Sequence, residues 1–370
     1  MKKQLLCTSA IALGVAAAAP ASAQDWNLDW GGFFNQHVGY ADVSGTAIIP
    51  GADLDGITVH TNAEIIFTPS ITLDNGLTFG INVQMEALNA GGGVDGIDES
   101  YMSISGDSFG RLDIGYENSA GYKMMVGAPG VTSMFINSPS ISTYVPFSGV
   151  LPANFRQAAI SSYTEVAGNN DVARITYYTP SFSGFTAGIS YAPTGAFNAQ
   201  NSFGINRNAV LSDIFDIGVN YSQSFGATDL TLAARWGTGD AAVGAGSDPE
   251  TWGVGFNIGF SGITVGGSYA ENDNGAVGGV NDQEGWSFGV TYDAAGPWSF
   301  EALTYQGEYN NTGTGGADES YEAYRIGASR DLGPGVDWDI YVAYVEAEDD
   351  GTAGTDLEGT VLGTAINLSF

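Results

Sequence analysis

Apolar and polar residues alternate along most of this chain. In "LTFGINVQMEA", Leu77, Phe79, Ile81, Val83 and Met85 share one parity, and Thr78, Asn82, Gln84 and Glu86 share the other. "FTAGISYA", "FDIGVNYS", "TWGVGFNIGF" and "GWSFGVTY" repeat the pattern. A strand sends successive side chains to opposite faces, so a period of 2 predicts strands with one greasy face and one small or polar face. The last twelve residues, "GTVLGTAINLSF", follow it to the end. Leu362, Ile366, Leu368 and Phe370 lie on one parity, and Gly363, Ala365, Asn367 and Ser369 on the other. Chain ends fray unless something ties them down, so this strand should be paired.

The pattern predicts sixteen strands, near 28–40, 57–73, 77–88, 98–105, 110–116, 171–179, 185–192, 211–224, 229–238, 251–260, 263–270, 284–292, 298–308, 320–330, 336–346 and 356–370. Near 298–308, Trp298 and Phe300 take one parity while Leu303 and Tyr305 take the other, which predicts a bulge. Seven connectors are short and carry turn residues: 74–76, 106–110, 180–184, 225–229, 261–262, 293–297 and 331–335. They alternate with eight longer ones.

An even number of antiparallel strands with short turns at one end and long loops at the other is the transmembrane barrel pattern. Closure satisfies every strand hydrogen bond inside lipid. The expected fold is therefore all-β, a 16-stranded antiparallel transmembrane β-barrel. Its terminal strand should pair with "LDWGGFFNQHVGY", and its greasy parity should face lipid. A secreted β-sandwich or solenoid also alternates, but rarely divides so evenly between short and long connectors. "GGGVDGID" (91–98) faintly resembles a calcium-binding repeat, but it occurs once and reads as a Gly-rich loop.

Composition sharpens the picture. Lys2 and Lys3, a short apolar run and Ala21-Ser22-Ala23 predict a cleaved signal peptide over 1–23, leaving 24–370 as a single barrel domain. The run is too short to span a membrane, and Cys7, the only cysteine, leaves with it. Ten Lys and Arg stand against 41 Asp and Glu, a net charge of −31, which argues against a nucleic-acid partner. Hydrophobic residues at 44% and aromatics at 12% argue against disorder. The 54 glycines show no collagen period and point to turns and close strand contacts.

The acids gather in the long connectors and at their edges, among them Asp42, Asp53, Asp55, Asp95, Asp98, Glu99, Asp248, Glu250, Glu271, Asp273, Asp282, Glu284, Asp318, Glu319, Glu346, Glu348, Asp349 and Glu358. One rim should be strongly negative, raising local cation concentration and repelling anions. These carboxylates read either as a solvated surface or as weak ligands for a divalent cation such as Ca2+. No other cofactor is implied. By parity Arg111, Asp113, Arg174, Arg235 and Arg325 point to the lumen, as do Glu64 and Glu86. Charge on the lipid face would cost ~2–4 kcal/mol near mid-membrane, so folding alone demands this placement. Some of these groups could also form a charged constriction. The 54-residue connector 117–170 is far longer than usual and almost free of acid. It carries Met124, Met125, Met134, Phe135, Ile136, Phe147 and Phe155, which suit a loop folded inward as a partial plug. An outer lid or subunit contact is the other reading. Glu117 and Lys123 lie at its start.

Two stretches carry a family resemblance. In "DESYMSISGDSFGRLDIGYENSA" (98–120) an acid-aromatic strand, a Gly-Asp-Ser-Phe-Gly turn and a short strand lead into the long loop. "NDVARITYYTPSFSGFTAGISYAPT" (170–194) follows it. With "QDWNLDWGGFFNQHVGY" and Phe370, the chain resembles Gram-negative general porins, especially the alphaproteobacterial type. The resemblance implies a trimeric channel in the bacterial outer membrane, among lipid and lipopolysaccharide. It implies that 117–170 is the constriction loop and that Phe370 is read by the barrel-assembly machinery. Such constrictions often set loop acids against wall arginines. Here the loop has only Glu117 and Glu165 near its ends, and the neighbouring wall offers Glu64 and Glu86, so a transverse field is in question.

A hydrolase would need a nucleophile and a base, and the only histidines, His37 and His60, read as lumen-facing strand residues. They offer no metal-ligand spacing either. A substrate-specific channel is a closer rival, with Tyr122, Tyr144 and Tyr163 available to line it. A purely structural or adhesive barrel would need no inward loop. The sequence therefore points to a passive diffusion channel for small hydrophilic solutes and ions, not an enzyme, that prefers cations.

Overall fold

The computed structural model describes residues 25–46, 48, 50–87, 96–135, 139–145, 165–195, 206–275, 282–310, 319–349 and 356–370. The leader expected over 1–23 lies outside these residues, as do 136–138 and 146–164 of the long loop. No helix among the described residues is long and apolar enough to cross a membrane.

Among the described residues, seventeen strands form one closed antiparallel sheet. They are β1 (Trp30–Ser44), β2 (Gly56–Phe67), β3 (Ser70–Thr72), β4 (Thr78–Glu86), β5 (Ser100–Gly106), β6 (Gly110–Glu117), β7 (Val172–Tyr178), β8 (Phe185–Thr194), β9 (Ser212–Phe225), β10 (Thr228–Asp240), β11 (Glu250–Phe260), β12 (Ile263–Asp273), β13 (Gln283–Asp293), β14 (Trp298–Tyr309), β15 (Glu319–Gly333), β16 (Val336–Asp349) and β17 (Leu357–Ser369). The β2–β3 pair makes one stave, broken where Pro69 has no N–H to give. Both segments pair with β4, and the Ile81 amide donates to the Pro69 carbonyl at 3.0 Å across the break. The barrel therefore has sixteen staves, as the alternation predicts.

β17 closes the ring on β1, from Phe33 opposite Ser369 to Ser44 opposite Glu358. Backbone bonds between Gly32 and Phe370, at 3.1 and 3.2 Å, extend the seam to the last residue. The parities separate as expected. Leu362, Ile366 and Leu368 are exposed on the outside, while Val361 and Ala365 are buried inside.

β14 differs from the expectation. Its pairing with β13 and β15 runs without a shift from Trp298 to Tyr309, so there is no bulge. Leu303 and Tyr305 point inward and pack against the long loop, joining the buried cluster of Met134, Ile141, Tyr144 and Val145. An apolar lumenal parity is the imprint of a covered wall.

That cluster is the principal core of the molecule, and it lies inside the barrel. Among its described residues the loop contains two short α-helices, α1 (Ala120–Met124) and α2 (Pro139–Ser142). Met134, Ile141 and Val145 are fully buried against β1, β14, β15, β16 and β17. Burying each such side chain contributes roughly 1.5–3 kcal/mol, which holds the loop to the wall.

Candidate functional site: a loop seated inside the barrel

The loop's two feet are tied together. Asn118, just after β6, donates its side-chain amide to Glu99 Oε1 at 3.0 Å and to Asp171 Oδ1 at 3.1 Å. The Ser119 amide donates to Glu165 Oε1 at 2.6 Å, so residues 46 apart in sequence meet. Ser119 caps α1 by accepting from the Tyr122 amide at 3.2 Å. Asp171 is buried beside Asp98 and Glu99, and burial first, then those like charges, push its carboxyl up to about 7.

Beyond the feet, missing side chains make a track for the loop. A Cβ at Gly218 would lie 2.8 Å from the Ala120 carbonyl oxygen, and one at Gly255 would overlap the Val126 carbonyl oxygen. Such contacts let the loop backbone lie directly on the sheet. The Ala120 amide donates to Ser190 Oγ at 2.7 Å, and the Ala128 amide to Ser287 Oγ at 3.0 Å.

A carboxylate then clamps the loop. Glu301 accepts from the amides of Val131 (2.5 Å) and Thr132 (3.1 Å), and from Thr132 Oγ1 (2.6 Å). Arg325 Nε holds the same carboxylate at 2.6 Å. At the next residue the Ser133 amide donates to Asp339 Oδ2 at 2.8 Å. His37 lies between Tyr341, 3.1 Å from Nδ1, and Ser133 Oγ, 3.4 Å from Nε2. His60 meets Thr143 Oγ1 at 2.9 Å.

The nine charged positions expected at the constriction fall into two groups. Arg174, Arg235 and Arg325 are only 3%, 4% and 5% exposed. They have lumenal parity but lie beneath the loop, which corrects their reading as pore lining. Arg235 pairs with Asp216 and lies 3.8 Å from Glu165. Arg174 donates to the Asn169 carbonyl at 2.7 Å and stands 3.9 Å from Glu165. Asp113 and Glu117 are buried as well, as partners of Arg111 and Lys123. The physical reason is common to all five. The loop displaces water from this wall, and buried charge must then be paired.

Four positions keep access to the lumen. The Arg111 side chain is 46% exposed, with Asp113 at 2.8 Å. The Lys123 side chain is 26% exposed, between Glu99 (3.2 Å) and Glu117 (3.0 Å). Burial alone would lower the Lys123 ammonium, but Glu117 and Glu99 outweigh it and hold it above the ordinary lysine range. Glu64 and Glu86 are half-buried and directly opposite each other across β2 and β4.

Sequence reasoning missed the anchors Glu301, Asp339 and Asp216. Their signal was present: each is an acid on a lumenal parity, beside inward-facing small and apolar residues such as Gly218, Leu303 and Ala343. Among the described residues no group of three or more His, Cys, Asp or Glu is placed to hold a metal ion. Parts of the long connectors, 88–95, 276–281, 311–318 and 350–355, lie outside the described residues, and with them Asp95, Asp318 and Asp350.

A closed barrel with an apolar outer band and a loop pinned along its inner wall is an outer-membrane channel. Residues 8–352 match the family described as Gram-negative porin, and the chain belongs to it. It is located in the bacterial outer membrane. No curated protein matches the chain. Similar solved structures include an anion-selective porin from Comamonas acidovorans, 16% identical over 94% of this chain and 100% of that one, TM-score 0.61. OmpF from Salmonella typhi, in complex with daunomycin, is 15% identical over 93% and 97%, TM-score 0.62. The trimer form of OmpT from Vibrio cholerae is 14% identical over 93% and 99%, TM-score 0.60. At these identities the likeness is one of fold.

Proposed function

We propose that this porin is a passive diffusion channel for small hydrophilic solutes and ions that prefers cations, with 117–170 as its constriction loop. One observation carries the preference. Each of the five lumenal cations among the described residues, Arg111, Lys123, Arg174, Arg235 and Arg325, already holds a carboxylate. Three of the five are removed from the lumen altogether. The accessible wall keeps Glu64 and Glu86 side by side. A lumen whose positive charge is neutralised, in a chain with 41 acids against ten Lys and Arg, draws cations. The Comamonas protein is anion-selective by name, and only its fold is shared.

The same reading takes the active form as a homotrimer in lipid and lipopolysaccharide, assembled by machinery that reads Phe370. It also takes the acid-rich extracellular loops as weak Ca2+ ligands. The reading is supported by the family match and by the exposed terminal aromatic. The test is single-channel recording in a planar bilayer with Glu64→Gln and Glu86→Gln. Each substitution should lower the cation-to-anion permeability ratio, and both together should bring it near unity. A ratio unmoved by both would remove these residues from the constriction.

A further inference from the structure

The lipid-facing surface is not uniform. On the outer face of β11–β13 lies an apolar groove of about 380 Å³, walled by Val254, Phe256, Tyr269, Trp286 and Phe288. Its floor is Gly267, which stands opposite Phe256 on one side and Phe288 on the other. A Cβ here would come within 2.5 Å of the Ser287 carbonyl oxygen, so the floor is fixed by backbone packing.

Above the groove, toward the long-loop end, two tiers follow in register. Tyr269 pairs with Trp286, and Glu271 pairs with Glu284. The Tyr269 hydroxyl lies 2.6 Å from Glu271 Oε1 and 2.9 Å from Glu284 Oε2. It has one proton to offer two carboxylates. Trp252 Nε1 donates to Glu271 at 3.0 Å from the other side. From the mid-membrane outward the order is therefore apolar groove, aromatic tier, paired carboxylates.

We infer that this face is a lipid site, holding one acyl chain in the groove over Gly267 and a primary ammonium headgroup between Glu271 and Glu284. The order of the tiers matches the order of a lipid: chain, interface, head. Charge complementarity selects the head. Two carboxylates repel an anionic lipid, and an ammonium supplies the N–H donors that the shared phenolic proton cannot. A quaternary ammonium has the charge without the N–H groups. The inference goes beyond the transport reading and needs only the barrel in its membrane.

The test uses the refolded protein in vesicles whose lipids carry brominated acyl chains, which quench tryptophan by contact. The Trp286 signal is the difference between the wild type and Trp286→Phe. Phosphatidylethanolamine should quench that signal at lower mole fraction than phosphatidylcholine or phosphatidylglycerol. Glu271→Gln and Glu284→Gln should each weaken the preference on the order of fivefold. Both are shape-conserving changes, at an exposed Glu284 and a half-buried Glu271, and an unchanged single-channel current in each variant confirms an intact barrel. Equal quenching by all three lipids would overturn the inference in favour of unselective annular lipid. A preference for phosphatidylglycerol that appears only with Mg2+ or Ca2+ would also overturn it, assigning the carboxylates to a bridging cation.

Discussion

Glu301 shows how a single side chain can set the shape of a pore it does not line. Its carboxylate is buried, it gathers two loop amides and a hydroxyl, and Arg325 neutralises it. Glu301→Gln keeps the volume and removes the charge. Arg325 is then a buried cation without its partner, which costs roughly 3–5 kcal/mol. The expected outcome is a lower denaturant midpoint together with noisier open-channel current, read by urea unfolding and single-channel recording. Asp171 gives a second prediction at this scale. Its folded pKa is raised to about 7, so its contribution to stability is full below about pH 4, declines as pH rises and is gone above about 7. Asp171→Asn should flatten the thermal stability profile between pH 4 and 8. Asn also tolerates the positive φ of +51° at this position. Thermal midpoints across that range check it. These roles were only partly legible in the sequence. Parity placed Arg235 and Arg325 on the inner face correctly. It could not say that a loop would cover them, because covering depends on the path of residues far away in the chain.

At the scale of the element, the long loop and the wall are shaped for each other. The strands, turns and closure were readable because alternation is local and the turn residues punctuate it. The second stave was read as one strand, and its break at Pro69 is a detail of backbone donors. The bulge expected in β14 was a misreading with a clear cause. Alternation assumes that the lumenal face meets water, and here Tyr305 and Leu303 meet the loop. Gly255 tests the fit from the wall side. Its Cβ would overlap the Val126 carbonyl, so Gly255→Ala must push the loop off the sheet and into the lumen. The prediction is a smaller single-channel conductance with unchanged strand content by circular dichroism. At the seam, removing Phe370 deletes its two backbone bonds to Gly32 and should cost about 1–3 kcal/mol in the refolded barrel. Outer-membrane yield in cells should fall far more than this, if the exposed terminal ring is an assembly signal. Parallel refolding and fractionation assays separate the two effects.

For the whole molecule, function follows from where charge is left accessible. The chain is strongly acidic, and three of its few cations, Arg174, Arg235 and Arg325, are held in ion pairs beneath the loop. The acidity, and from it an expected preference for cations, was legible in the sequence; the covering of the arginines was not, and the same arginines on an open wall would have made a mixed-charge constriction. In the proposed function the barrel supplies the passage, the loop narrows it, and the acidic lumen, with Glu64 and Glu86 opposite each other on its wall, sets the sign. The most direct measurement is the reversal potential of the purified protein in a planar bilayer, under a tenfold KCl gradient and without divalent cations. The account predicts discrete conductance steps and a potential of the sign that marks K+ as the more permeant ion. A potential of the opposite sign, or a barrel that inserts and passes no current, would contradict it.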